Sequence, residues 1–164
     1  MHTVQLLLKP SKYERYEIDR RFRALAHLHN VCVKHARKCM VRLQYDKDYT
    51  ALRQQYLELS KKLLKKEELS KEDKAEKKAL SAQLAERRSA YGLSKSALES
   101  YLKVCGKQFS KLLSSQQVQA EADRVWCGVE RCLFGNGKEL HFKKLMDFDT
   151  IGGKSNKNGA RFDL

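Results

Sequence analysis

Apolar residues between positions 11 and 135 recur at alternating steps of three and four, the period of a helix with one buried face. The longest such stripe predicts a helix that begins at Ser11, which with Glu14 forms a capping box in sequence. Its inward positions are Ile18, Phe22, Leu25, His29, Cys32, Ala36, Cys39 and Leu43. Its opposite face carries Arg20, Arg23, Lys34, Arg37 and Lys38. The pattern therefore predicts a long amphipathic helix with a basic outer side.

The same period predicts further helices with few interruptions, since the chain has one proline, Pro10, and few glycines before residue 135. A second helix has Leu52, Tyr56, Leu59 and Leu63 inward and leads into the charge-rich residues 61–78, which we interpret as a solvated helical hairpin. A third amphipathic stretch covers residues 94–109. The last helix has Ser114 and Gln117 as a capping box and ends at Gly135.

The two ends of the chain have a different pattern. Residues 3–8 form a short apolar run of the kind found in strands, and the pieces after residue 140 alternate β-like residues with turn formers. A lone hairpin is marginal in water, so these pieces predict a β domain that is not finished. The fold class is therefore mainly α: an antiparallel helical bundle (11–137) inserted after one N-terminal β-strand (1–10) and followed by the start of an incomplete β domain (138–164).

The charge balance points to a polyanionic partner. The chain has 34 Lys and Arg against 20 Asp and Glu, a formal net charge of +14 over 164 residues. Such a field attracts phosphates, with strong salt dependence, so nucleic acid is the first partner to consider. A membrane ranks below it, because the single Trp has no amphipathic setting and no apolar run approaches the roughly 20 residues of a span. With no secretory pattern at its start, the chain is expected in the cytoplasm.

Candidate chemistry is sparse. The five cysteines are interpreted as small buried thiols without disulfides. A metal site at Cys32, His35 and Cys39 is disfavoured, because structural zinc ligands usually come in short loop pairs such as C-x-x-C. Asp147 and Asp149 are interpreted as turn residues. The sequence thus predicts no cofactor, no metal and no catalytic residues, and no enzyme activity for this chain alone.

Three segments carry a family resemblance. The turn Tyr91-Gly92-Leu93-Ser94 precedes a helix, residues 113–134 form a Ser-Gln-Val-type helix, and residues 138–144 are a basic lead-in to β-like sequence. In this order, after a first strand, they resemble the N-terminal part of TnpB-type proteins, the RNA-guided nucleases of bacterial transposons that are related to type V CRISPR effectors. The resemblance implies a wedge-like β domain interrupted by a helical recognition domain.

The resemblance also implies a function. It suggests a portion that holds guide RNA and recognises the DNA motif flanking a target, with the catalytic remainder of a nuclease supplied by another chain. On the DNA side it suggests Tyr91, Ser94 and Lys95, for which the alternative is an ordinary turn and helix cap. The basic C-terminal residues expected to contact phosphate are Lys143, Lys144, Lys154, Lys157 and Arg161, for which the alternative is a solvated turn. The alternative for the whole protein is a basic helical protein that docks an acidic protein partner.

Overall fold

The fold is helical throughout the residues described by the computed structural model, which are 9–63, 70–135 and 137–148. They form five α-helices, and none of them lies in a β-strand. The predicted mainly α class is confirmed. The helices are α1 (Lys12–Gln44), α2 (Lys47–Leu63), α3 (Lys71–Ala90), α4 (Lys95–Gly106) and α5 (Ser115–Phe134), with short 3-10 turns at Lys107–Phe109 and Leu145–Asp147.

Reciprocal side-chain caps begin three of the helices. The Ser11 amide donates to Glu14 over 2.7 Å while the Glu14 amide donates back to the Ser11 hydroxyl over 3.3 Å. Ser114 and Gln117 do the same at α5, so both predicted capping boxes are confirmed. A third box at the start of α3, formed by Ser70 and an aspartate in place of the usual Glu or Gln, was not predicted.

The core lies where α1, α4 and α5 pack together. Leu28 and Cys32 of α1, Leu98 and Leu102 of α4, and Val129 of α5 are fully buried. Helices α4 and α5 approach closely at Gly106, where an added Cβ would lie 3.1 Å from the Val118 methyl groups. The predicted inward stripe of α1 is buried from Leu25 to Leu43, whereas Ile18 and Phe22 are only partly covered.

Helices α2 and α3 run antiparallel and form a hairpin, which is longer than the one predicted from the charge-rich residues 61–78. Asp46, before α2, lies beside Arg87 at the end of α3, with 3.4 Å between the carboxylate and the guanidinium. Further along, the Lys77 ammonium lies 5.7 Å from the Tyr56 ring centroid. Most side chains of both helices face solvent.

The segment 137–148 differs from the prediction. This described part of the predicted β domain forms no strand and packs as extended chain against the helices, with Leu140 and Phe148 buried. Its backbone has no partner strand among the described residues. The Asn30 side chain supplies the hydrogen bonds that a partner strand would make. Its amide donates to the Lys143 carbonyl over 2.9 Å, and its oxygen accepts from the Lys143 amide over 3.0 Å. The predicted strand at 3–8 and the β-like pieces of 149–164 lie outside the described residues.

Candidate nucleic-acid interface

The positive charge is concentrated on α1, which holds nine Lys and Arg against three Asp and Glu. Its solvent-facing ridge follows the same steps of three and four as its buried stripe. The exposed residues of this ridge, which we call the α1 ridge, are Tyr13, Tyr16, Arg20, Arg23, His27, Lys34, Lys38, Val41 and Tyr45. At 1.5 Å per residue α1 is about 50 Å long, so the α1 ridge is an extended basic surface.

The first three turns of α1 carry exposed aromatic rings among the cations. No residue from Lys12 to Arg23 is buried, and Tyr13 and Tyr16 are 72% and 60% exposed. The Arg20 guanidinium lies 5.7 Å from the Tyr16 ring centroid and 2.8 Å from Glu17. Exposed rings beside arginines are the groups on which unpaired bases stack.

Two further exposed aromatic rings lie beside arginines. Arg37, on the flank of α1, is 5.4 Å from the Phe142 ring centroid and also pairs with Glu139. Arg88 is 4.7 Å from the Phe134 ring centroid. The Arg37 contact places the exposed Phe142 ring next to the basic helix.

The residues suggested for DNA contact all have partners within the chain. The Tyr91 hydroxyl donates to Asp46, which raises the pKa of Tyr91. Ser94 caps α4 by accepting from the Ala97 amide over 3.2 Å, and the Lys95 ammonium lies 3.0 Å from Asp123. These contacts fit the alternative interpretation of the three residues as an ordinary turn and helix cap. To contact DNA, the side chains would have to give up these partners.

The C-terminal basic set is only partly described. Lys143 and Lys144 are exposed, and the Lys143 ammonium lies 5.4 Å from the Phe148 ring centroid. The Lys144 amide donates to Asp147 over 2.7 Å, so Asp147 is a turn residue as predicted. The remaining predicted contacts, Lys154, Lys157 and Arg161, lie outside the described residues, as does Asp149.

Sequence patterns missed a buried polar pair between α1 and α5. The Nδ1 of His29 lies 2.6 Å from Glu121, and the two side chains are 6% and 2% exposed. The other carboxylate oxygen of Glu121 accepts from Arg124 over 3.1 Å. The sequence did contain a signal for a buried Glu121. It lies three residues after Val118 and four before Val125, on the apolar stripe of α5.

The five cysteines differ in how far they are buried. Cys32 and Cys39 are buried as predicted, and burial raises the pKa of the Cys32 thiol to about 12. The prediction is wrong for Cys127, which is exposed because it lies on the solvent side of α5.

His35 stacks on Tyr101 with ring centroids 3.8 Å apart, and burial lowers the pKa of His35. Among the residues that the structure describes, no three His, Cys, Asp or Glu side chains are arranged to hold a metal ion.

Within the described helices, none combines the length and apolar character needed to cross a membrane. No protein-family model, curated protein or solved structure matches the chain. The resemblance to TnpB-type proteins therefore rests on the motifs quoted above.

Proposed function

We propose that the chain binds nucleic acid, with the α1 ridge as its main contact surface. The observation that carries this proposal is the concentration of positive charge on the solvent side of one long helix whose other side is the core. Arg23, Lys34 and Lys38 make no ion pair with any described residue, so their charges are available to phosphates. Each such contact releases a condensed counterion, which favours binding at low salt.

Within this proposal, the nucleic acid has an unpaired portion, and RNA is the leading candidate. Tyr13 and Tyr16 expose most of their surface beside Arg20, a combination that suits stacking on splayed bases better than contact with a closed duplex. The family resemblance supports guide RNA and, as a second ligand, target-flanking DNA. A DNA contact at Tyr91, Ser94 and Lys95 remains part of the proposal, with the requirement that these side chains leave their present partners.

The test compares two triple variants with the same change in charge. Arg23, Lys34 and Lys38 are replaced by Gln on the α1 ridge, and Lys71, Lys74 and Lys78 are replaced by Gln on α3, where Glu72, Asp73 and Glu76 offset the field. Binding to a single-stranded RNA is measured as a function of salt. We expect the ridge variant to lose about 0.7 per contact from the slope of log affinity against log salt. The α3 variant should lose much less.

Equal losses in the two variants would reduce the effect to net charge and would overturn the assignment of the surface. A second experiment distinguishes nucleic-acid binding from the competing function, docking of an acidic protein. The chain is recovered from lysate with and without nuclease treatment, and the co-purifying material is identified. Retention of a protein partner after complete nuclease digestion, with no RNA or DNA in the untreated sample, would overturn nucleic-acid binding.

A further inference from the structure

A cavity of about 710 Å³ lies between α1, α5 and the segment 137–148, away from the α1 ridge. His29 and Val33 of α1 line one side, α5 from Arg124 to Cys132 contributes another, and the C-terminal segment closes over both with Leu140 and Phe148. The segment lies close to α5, because an added Cβ on Gly128 would be 2.9 Å from a Leu140 methyl group. A cavity of this volume is of the size that holds small ligands.

The lining has a surplus of free positive charge. Its cations outnumber its carboxylates by four to two, and one of those carboxylates, Glu139, already pairs with Arg37. By contrast, the cations Arg131 and Lys138 make no ion pair with any described residue. A concave site with uncompensated cations favours an anion.

The buried histidine supplies a second, independent observation. Glu121 accepts from Arg124 with one oxygen and contacts the Nδ1 of His29 with the other. The imidazole is only 6% exposed and lines the cavity, so its other nitrogen, Nε2, is the ring atom left to contact a ligand there.

We propose that this cavity binds a phosphate group, with Arg131 and Lys138 neutralising its charge and the Nε2 of His29 as the buried contact. The source of the phosphate is a free nucleotide or the phosphate of a nucleic acid. The inference does not depend on the α1 ridge.

The experiment is a titration followed by NMR of the full chain, with inorganic phosphate, adenosine 5′-monophosphate and adenosine as probes. We expect saturable shifts at His29, Gly128, Leu140 and Phe148 with the two phosphate-bearing probes and none with adenosine. Shifts of equal size with adenosine, or shifts that never saturate, would overturn the proposal.

Substitution separates the site from a general charge effect. Arg131→Gln with Lys138→Gln removes two exposed cations from the cavity lining, and Lys103→Gln with Lys107→Gln removes two exposed cations at the other end of the bundle. The first pair should weaken binding of the monophosphate about tenfold, as expected for two charge-assisted contacts that are open to solvent. The second pair should leave binding unchanged. Equal weakening by both pairs would rule out a defined site.

Two further experiments identify the source of the phosphate and distinguish this inference from the proposed function. A dinucleotide that competes with the monophosphate indicates the phosphodiester of a nucleic acid, whereas competition by the monophosphate alone indicates a free nucleotide or a chain end. The α1 ridge variant with Arg23, Lys34 and Lys38 replaced should lose affinity for RNA yet bind the monophosphate normally. Loss of monophosphate binding in that variant would contradict the cavity assignment.

Discussion

The three-helix core and the α2–α3 hairpin are built from sequences of similar helical period but are stabilised in different ways. Helix α1 alone buries ten residues, whereas α2 and α3 bury three between them. The hairpin is held at its base by polar contacts, in which Asp46 accepts from the Tyr49 amide over 3.1 Å and pairs with Arg87. Helical periodicity thus does not predict how much apolar surface a helix buries.

The difference also separates the charges. In α3 six basic residues alternate with four acidic ones, a net charge of +2, while α1 combines the deepest burial with the largest positive excess, a net charge of +6. The buried side of α1, from Ala24 to Leu43, fixes the part of the α1 ridge from His27 onward against the core. The candidate interface therefore belongs to the core and not to the hairpin.

The largest expected effect comes from truncating equivalent leucines in the two regions. Leu102→Ala, at a fully buried position of the core, should lower the free energy of unfolding by about 2–5 kcal/mol. Leu84→Ala in α3 should cost less, because the hairpin can open without exposing the core. Urea unfolding followed by circular dichroism measures both. Equal losses would show that the hairpin and core unfold as one unit.

A second prediction concerns the polar pair inside the core. Glu121→Gln keeps the side-chain volume but removes the charge that Arg124 and His29 contact, so we expect a loss of about 1–3 kcal/mol in unfolding free energy. Glu130→Gln, an exposed change on the same helix, is the control and should stay within about 0.5 kcal/mol. A Glu121 variant as stable as its control would mean that the pair contributes nothing.

A smaller effect is expected where the C-terminal segment docks on α1. Asn30→Ala removes both hydrogen bonds to the Lys143 backbone, which can then turn to water, so the global loss should be about 1 kcal/mol or less. Amide hydrogen exchange should accelerate at Lys143 and Phe148 while Leu102 stays protected. Unchanged exchange at Lys143 would contradict the role of Asn30, and Gln44→Ala, at the exposed end of α1, serves as the matched control.

The smallest expected effect is an acid dependence confined to the hairpin base. The bond from the Tyr49 amide, together with Tyr91 and Arg87, lowers the pKa of Asp46 below its usual 3.8. Its contribution to stability is therefore present above pH 3.8 and is lost as the pH falls through the lowered value. Amide exchange in α2 and α3 should rise over this acid range in the parent chain. Asp46→Asn should remove that pH dependence, and an identical pH profile in the variant would show that another group is responsible.

Prediction from sequence succeeded where the governing contacts are close along the chain. The caps at Ser11 and Ser114 link residues three apart, and the buried and basic sides of α1 follow from one helical period. The same local patterns located α2, the first helix of the hairpin, but not the bounds of α3, whose apolar spacing is weak. They also identified Lys143 as a candidate phosphate contact, but they did not reveal the cavity that it lines.

The sequence by itself determined α1, α2, α4 and α5, the caps of α1 and α5, and the basic outer side of α1, because these depend on neighbours within about one helical turn. Only the tertiary structure decided the rest. The Asn30 bonds to Lys143 span 113 residues and the His29 contact with Glu121 spans 92, so no local period announces them. They arise once α1 and α5 are packed side by side. That packing docks the predicted β-like residues 141–144 on α1 and leaves a cavity of about 710 Å³ between that segment, α1 and α5.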